Sequence, residues 1–168
     1  MSSLSRQLER FLKPKSIAVY GGAWAENVIL QLQKSRYHGE IWAVHPTKTN
    51  LAGVACFTNT SDLPAAPDAA FIGVNRALTI DVVGELRDAK AGGVICFASG
   101  FSEADGDHQS VGDDLQNQLI TAAGDMPLLG PNCYGYLNYL DNVTLWPDQH
   151  GGKTVDSGVA IIAQSSNV

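Results

Sequence analysis

Short, uninterrupted apolar runs recur along this chain with helical patterns between them, and that alternation restricts the fold more than any other feature. The runs are SIAVY (16–20), EIWAV (40–44), AAFIGV (69–74), GVICFA (93–98), MPLLG (126–130) and GVAIIA (158–163). They are too short for helices and lack the polar alternation of a strand with one wet face. They therefore read as strands buried on both faces of a parallel sheet. Between them, residues 26–36, 79–90 and 111–123 repeat apolar positions at helical spacing, flanked by Gly, Asn or Asp. Parallel neighbours need right-handed crossovers, so the expected fold is α/β: a doubly wound, mainly parallel sheet flanked by helices. Ahead of it, Leu4, Leu8, Phe11 and Leu12 share one helical face and Pro14 stops the pattern, making residues 1–13 a leading helix. Residues 45–68, with HPTKTN and DLPAAPD, read as connecting loops carrying at most one short strand.

Length and charge limit what such a sheet can serve. At 168 residues and 45% hydrophobic content, one compact core is expected. Eleven Lys and Arg against 17 Asp and Glu leave a net charge of -6, which argues against nucleic acid or an anionic membrane surface as partner. An anionic ligand would have to be held by local groups. No apolar run approaches the roughly 20 residues of a membrane span, and MSSLSRQLERFLKPKS lacks the apolar centre of a secretion signal, so a cytoplasmic protein is expected. Cys56, Cys96 and Cys133 are odd in number and widely spaced, which suggests neither a disulfide framework nor zinc, and Cys96 reads as core. His38, His45, His108 and His150 show no ligand spacing, so no metal site is expected.

Ligands of open α/β sheets bind beyond the carboxyl ends of the strands, near the point where the strand order reverses. After the first run come Gly21, Gly22 and Ala23, small enough for backbone N–H groups to approach phosphate at a helix start. A dinucleotide fingerprint needs a third glycine, and Trp24, Ala25, Glu26 and Asn27 follow instead. The second run ends in Val44, His45, Pro46, Thr47 and Lys48, where a nicotinamide site usually places an acid on the ribose hydroxyls. Lys48 and the Thr47 hydroxyl suit a phosphorylated ribose, as in coenzyme A (CoA), with NADP still open. Val74, Asn75 and Arg76 close the third run, and Ser99, Gly100 and Phe101 follow the fourth. After the fifth, GPNCYGYLN (130–138) concentrates Gly, Pro, Asn132 and Cys133, a density that implies backbone set close to something. Cys133 has no His or Asp nearby to activate it, so no catalytic residue is assigned.

In this order LKPKSIAVYGG, AVHPTK, DAAFIGVNR, ICFASGFSE, LLGPNCYG and VAIIAQSSN resemble the N-terminal CoA-binding domain of NDP-forming (ADP-forming) acyl-CoA synthetases, relatives of the succinyl-CoA synthetase α subunit. The resemblance covers residues 10–168 and implies a Rossmann-like domain over 14–156. It places Gly21, Gly22 and Ala23 against CoA phosphates, and Val44, His45, Pro46 and Lys48 near the adenosine. Val74, Asn75 and Arg76 would line the passage to pantetheine, with Ser99, Gly100, Phe101, Asn132 and Cys133 near the thiol. It further implies an acid–thiol ligase in which ATP converts a carboxylic acid to an acyl phosphate that CoA attacks, with a phosphohistidine in the next domain. The ATP and Mg2+ sites would lie outside this chain, and the chain alone would be inactive.

Three positions differ from the pattern common in that family. Trp24 and Glu26 stand where many relatives have Ser and Gly, Val74-Asn75-Arg76 stands for Val-Pro-Ala, and Gln164-Ser165-Ser166 for Gln-Ser-Gly. Residues 157–168 read as a strand and turn that ordinarily feed a helix, the truncated start of a following flavodoxin-like domain. The remaining domains of the same polypeptide are the expected partners, and homo-oligomerisation is left open. Two other functions fit some of these features: an NAD(P)-binding sensor or oxidoreductase, and a CoA-binding regulatory domain fused to an acetyltransferase.

Overall fold

The computed structural model describes residues 3–102 and 109–163. The leading helix, α1 (Ser3–Leu12), is followed by β1 (Ser16–Gly21), α2 (Ala23–Lys34), β2 (Glu40–Val44), β3 (Asn50–Leu51) and β4 (Val54–Phe57). A 3-10 turn at Thr60–Asp62 leads to β5 (Ala69–Gly73), α3 (Arg76–Asp88), β6 (Val94–Cys96), α4 (Gln109–Ala123), β7 (Leu128–Leu129), β8 (Tyr136–Asn138) and β9 (Val143–Leu145). The seven-stranded sheet runs β3-β4-β2-β1-β5-β6-β7, parallel except where β3 meets β4. From β1 the chain steps outward through β2 to β4, then crosses back to β5 on the other side of β1. The order therefore reverses between β1 and β5, and the expected doubly wound α/β fold is present.

The central strands β1, β2, β5 and β6 are apolar beyond their first residues because both faces are covered. Along β1, Ile17 and Val19 join Val28, Ile29 and Leu32 of α2, while Ala18 and Tyr20 join Val82, Val83 and Leu86 of α3. All but Tyr20 and Val82 in this set are wholly buried, each of the Val, Ile and Leu side chains worth about 1.5–3 kcal/mol relative to exposure. Cys96 lies in the same core, as expected. No helix among the described residues is long and apolar enough to cross a membrane.

The differences from expectation have physical causes. Residues 45–68 carry two short strands rather than at most one, because an antiparallel turn at Ala52 and Gly53 lets β3 fold onto β4 at the sheet edge. The hairpin β8–β9 has no counterpart in the sequence reading: three-residue strands leave no period to detect. It is pinned to α2 by Ser35, whose Oγ donates to Asn142 O at 3.0 Å and lies 3.1 Å from Thr144 Oγ1. Helices α2 and α3 begin three residues earlier than their apolar periodicity, at Ala23 and Arg76: α3 because the Asn75 side chain caps it, and α2 because it starts directly after Gly22 and buries Ala25 in its first turn. The strand expected at 158–163 is absent. Val159, Ile161 and Ile162 are 90%, 88% and 98% exposed, and an apolar run without a neighbour to pair with forms no ladder. The Gln164-Ser165-Ser166 turn lies outside the described residues.

Candidate functional site

At the carboxyl ends of β1 and β5 the two backbones touch more closely than side chains permit. Gly21 is paired in register with Gly73, and a Cβ built on Gly21, whose φ is +121°, would stand 2.5 Å from Gly73 O. A Cβ on Gly73 would be 3.3 Å from Trp24 Cβ and 3.2 Å from Tyr20 O. The crevice at the strand-order reversal is thus floored by bare backbone. Gly22, the N-cap of α2, contributes no side-chain cap, and a Cβ built on it meets nothing within 4 Å. A glycine in place of a Ser, Thr, Asn or Asp cap costs a helix only about a few tenths of a kcal/mol, well under what the buried Ala25, Val28, Ile29 and Leu32 of α2 supply. The helix therefore tolerates leaving its first N–H groups uncapped by a side chain beside open space, where the macrodipole favours an anion.

The neighbouring ends are more occupied. After β2, His45 Nδ1 accepts from the backbone N–H of Thr47 at 3.2 Å and of Lys48 at 3.0 Å. Those two bonds assign the ring proton to Nε2 and use two amides within the turn. What the turn still offers an anion is the exposed Lys48 ammonium and the exposed Thr47 hydroxyl. After β5, Asn75 caps α3 by accepting from Leu78 N at 3.0 Å. Arg76 Nη1 donates to Gly100 O at 2.8 Å, tying the loops after β5 and β6 together. A Cβ at Gly100, at φ +88°, would fall 2.6 Å from that guanidinium nitrogen.

The density of GPNCYG has a structural explanation. A Cβ on Gly130 would lie 2.5 Å from Cys96 O, and one on Gly135 would lie 2.0 Å from Leu145 O. Asn132 N donates to Ala98 O at 2.9 Å and Cys133 N to Cys96 O at 3.2 Å. The motif is folded against the end of β6 and the edge of β9. Asn132 remains exposed and Cys133 half-buried at the top of the sheet.

The structure gathers Gly21, Gly22, Ala23, His45, Pro46, Lys48, Val74, Asn75, Arg76, Ser99, Gly100, Asn132 and Cys133 at one end of the sheet. Two expected residues turn inward: the Phe101 ring is wholly buried in the α3/α4 face, and Val44 is 95% buried in the same cluster. From those two, only backbone borders the crevice. The sequence reading overlooked an aromatic strip at the same end. Trp24 meets Phe97 with ring centroids 4.9 Å apart, Phe97 meets Tyr134 at 5.4 Å, and Tyr134 meets Trp146 at 5.1 Å. Trp24 leans over Gly73 toward Phe97 and leaves the space beside Gly22 open. The available signal was adjacency, since Phe97 and Tyr134 each flank a loop already singled out. No group of three His, Cys, Asp or Glu that could hold a metal occurs among the described residues.

The family model described as "CoA binding domain" matches residues 15–139, which include the carboxyl ends of β1, β2, β5, β6 and β7. The chain belongs to the CoA-binding domain family. It is 33% identical over 167 residues to the trans-feruloyl-CoA synthase FCS1 of an unknown prokaryotic organism, covering 96% of this chain and 23% of that protein. It is 29% identical over 165 residues to the ADP-forming 4-hydroxybutyrate–CoA ligase of Nitrosopumilus maritimus, covering 94% of this chain and 23% of the ligase. Among solved structures, the apo dinucleotide-forming acetyl-coenzyme A synthetase 1 of Ca. Korarchaeum cryptofilum superposes with a TM-score of 0.75 at 27% identity, covering 83% of this chain and 31% of that one. The chain thus spans about a quarter of the length of the curated relatives it matches. This CoA-binding domain is homologous to part of the ADP-forming acyl-CoA ligases.

Proposed function

We propose that this domain holds CoA across the carboxyl ends of β1, β2, β5 and β6, as part of a longer acid–thiol ligase that joins a carboxylic acid to CoA while ATP goes to ADP. The observation that carries the reading is the register-paired Gly21 and Gly73 at the strand-order reversal, with open space beside the uncapped Gly22. Bare backbone and helical N–H groups are what a pyrophosphate needs and what a plain tight turn does not. Gly21, Gly22 and Ala23 would face the phosphates. His45 and Pro46 would border the adenosine, with the Lys48 ammonium toward the ribose phosphate. Val74, Asn75 and Arg76 would line the passage, and Ser99, Gly100, Asn132 and Cys133 the thiol end, with Val44 and Phe101 contributing backbone.

CoA supplies the thiol, and the chain's own task is to fix its direction. The ATP and Mg2+ sites and the phosphohistidine belong, in this reading, to domains beyond residues 14–156, with 157–168 opening the next one. The acids in the relatives' names differ, being ferulate, 4-hydroxybutyrate and acetate, so the acid is left here as a carboxylic acid.

Isothermal titration with CoA and with dephospho-CoA tests the reading. CoA is expected to bind about three- to tenfold more tightly at low salt, a modest factor because Lys48 is exposed and screened. Lys48→Ala is expected to bring the two ligands level. Absence of binding by either ligand would overturn the proposal, and equal binding by the unsubstituted chain would remove the role of Lys48.

A further inference from the structure

We infer that Trp24, Phe97 and Tyr134 form a stacking subsite for a planar aromatic group carried by the acid. The inference rests on the CoA reading and adds to it the class of substrate. Phe97 is the floor: half-buried, it is anchored on the wholly buried Phe71 at a centroid distance of 5.6 Å. Trp24 and Tyr134 both pack against it, inclined at 50° and 78° to its plane. Both stay open, Trp24 at 43% and Tyr134 at 37% exposure, and Trp146 backs Tyr134 at 5.1 Å. Large rings left this exposed around a shared apolar floor mark a surface that another group covers.

Position selects the occupant. Trp24 follows Gly22 and Ala23, Phe97 precedes Ala98 and Ser99, and Tyr134 follows Cys133. Phe97 and Tyr134 thus adjoin the loops assigned to the thiol end of CoA, where the acyl group is attached, and Trp24 reaches Phe97 from the loop assigned to the phosphates. Tilted and edge-on pairs are the arrangements aromatic rings prefer, and an incoming ring extends the same pattern. A two-carbon acyl group is too small to cover Trp24 and Tyr134 together. The occupant is accordingly an aryl or arylalkenyl acid, bound through its ring.

Titration of the chain with CoA, acetyl-CoA and benzoyl-CoA tests this. Benzoyl-CoA is expected to bind about three- to tenfold more tightly than acetyl-CoA, the range one added ring contact supplies. In Tyr134→Leu and Trp24→Leu, each checked for folding by thermal melting, that ratio is expected to fall to about one. Tyr134→Phe, which keeps the ring, is expected to retain it. Equal affinity for acetyl-CoA and benzoyl-CoA, with CoA itself bound, overturns the aromatic subsite and leaves the CoA reading standing, as would a preference that survives both leucine variants. Failure of all three ligands to bind overturns both.

Discussion

At the scale of single residues, the molecule is most sensitive where two backbones meet at Gly21 and Gly73. Gly21→Ala combines a positive φ with a Cβ 2.5 Å from a carbonyl oxygen that has no flexible way to yield. The expected cost is about 2–4 kcal/mol, or a melting temperature lower by roughly 5–10 °C for a domain this size. A thermal melt unchanged to within about a degree would show that β1 and β5 are not this close. His150 predicts a pH response. Its Nδ1 lies 3.1 Å from the Tyr139 hydroxyl, and its Nε2 is buried with no partner among the described residues. Burial, followed by the charge of Lys34, lowers its pKa below the ordinary value of 6.5. The unfolded chain therefore binds this proton at a higher pH than the folded one, so the stability difference is present above about pH 6.5 and is lost as pH falls below it. Urea unfolding at pH 7 and pH 5 should show a smaller acid loss in His150→Gln than in the parent. An equal loss would mean that the imidazole is solvated.

At the scale of elements, the hairpin β8–β9 depends on a helix that ends at Lys34, far earlier in the chain, and Ser35 is the tie. Ser35→Ala leaves Asn142 O and the wholly buried Thr144 hydroxyl each short of a partner. The expected loss is about 1–2 kcal/mol, seen as a lower urea midpoint with unchanged slope. A midpoint that does not move would assign the docking of the hairpin to Val143 and Leu145 alone. The same hairpin shows where sequence reasoning stops. β2 was legible to the residue because EIWAV is apolar on both faces, and β1 and β5 nearly so. β8 and β9 were not, since their stability comes from α2 and α1 rather than from any local pattern, as in the hydroxyl of Tyr136 donating to Phe11 O. In the candidate site the loops were legible from Gly, Asn and Lys at strand ends. The inward turn of Phe101 and the stacking of Trp24 on Phe97 were not, because each is decided by which face of a strand end the next residue leaves from.

At the scale of the whole molecule, ligand binding and stability should be one measurement. Every proposed CoA contact sits at or just beyond a strand end of the seven-stranded sheet, so CoA at 100 times its dissociation constant should raise the unfolding free energy by about 2.7 kcal/mol. An unmoved melting curve at a CoA concentration expected to saturate would count against binding to the folded chain unless titration shows that binding, in which case the unfolded chain binds equally well. The sheet itself is well protected: β3 closes one edge as a two-residue antiparallel cover, and β7 closes the other with two residues. The segment 158–163 has no such protection. Six residues with no charge and no proline, three of them β-branched and almost wholly exposed, match the composition of segments that stack into fibrils. At high concentration this chain is expected to self-associate through that segment rather than through its sheet edges. Ile162→Lys should delay the rise of thioflavin fluorescence on storage without lowering the melting temperature, since the side chain it replaces touches almost nothing in the fold.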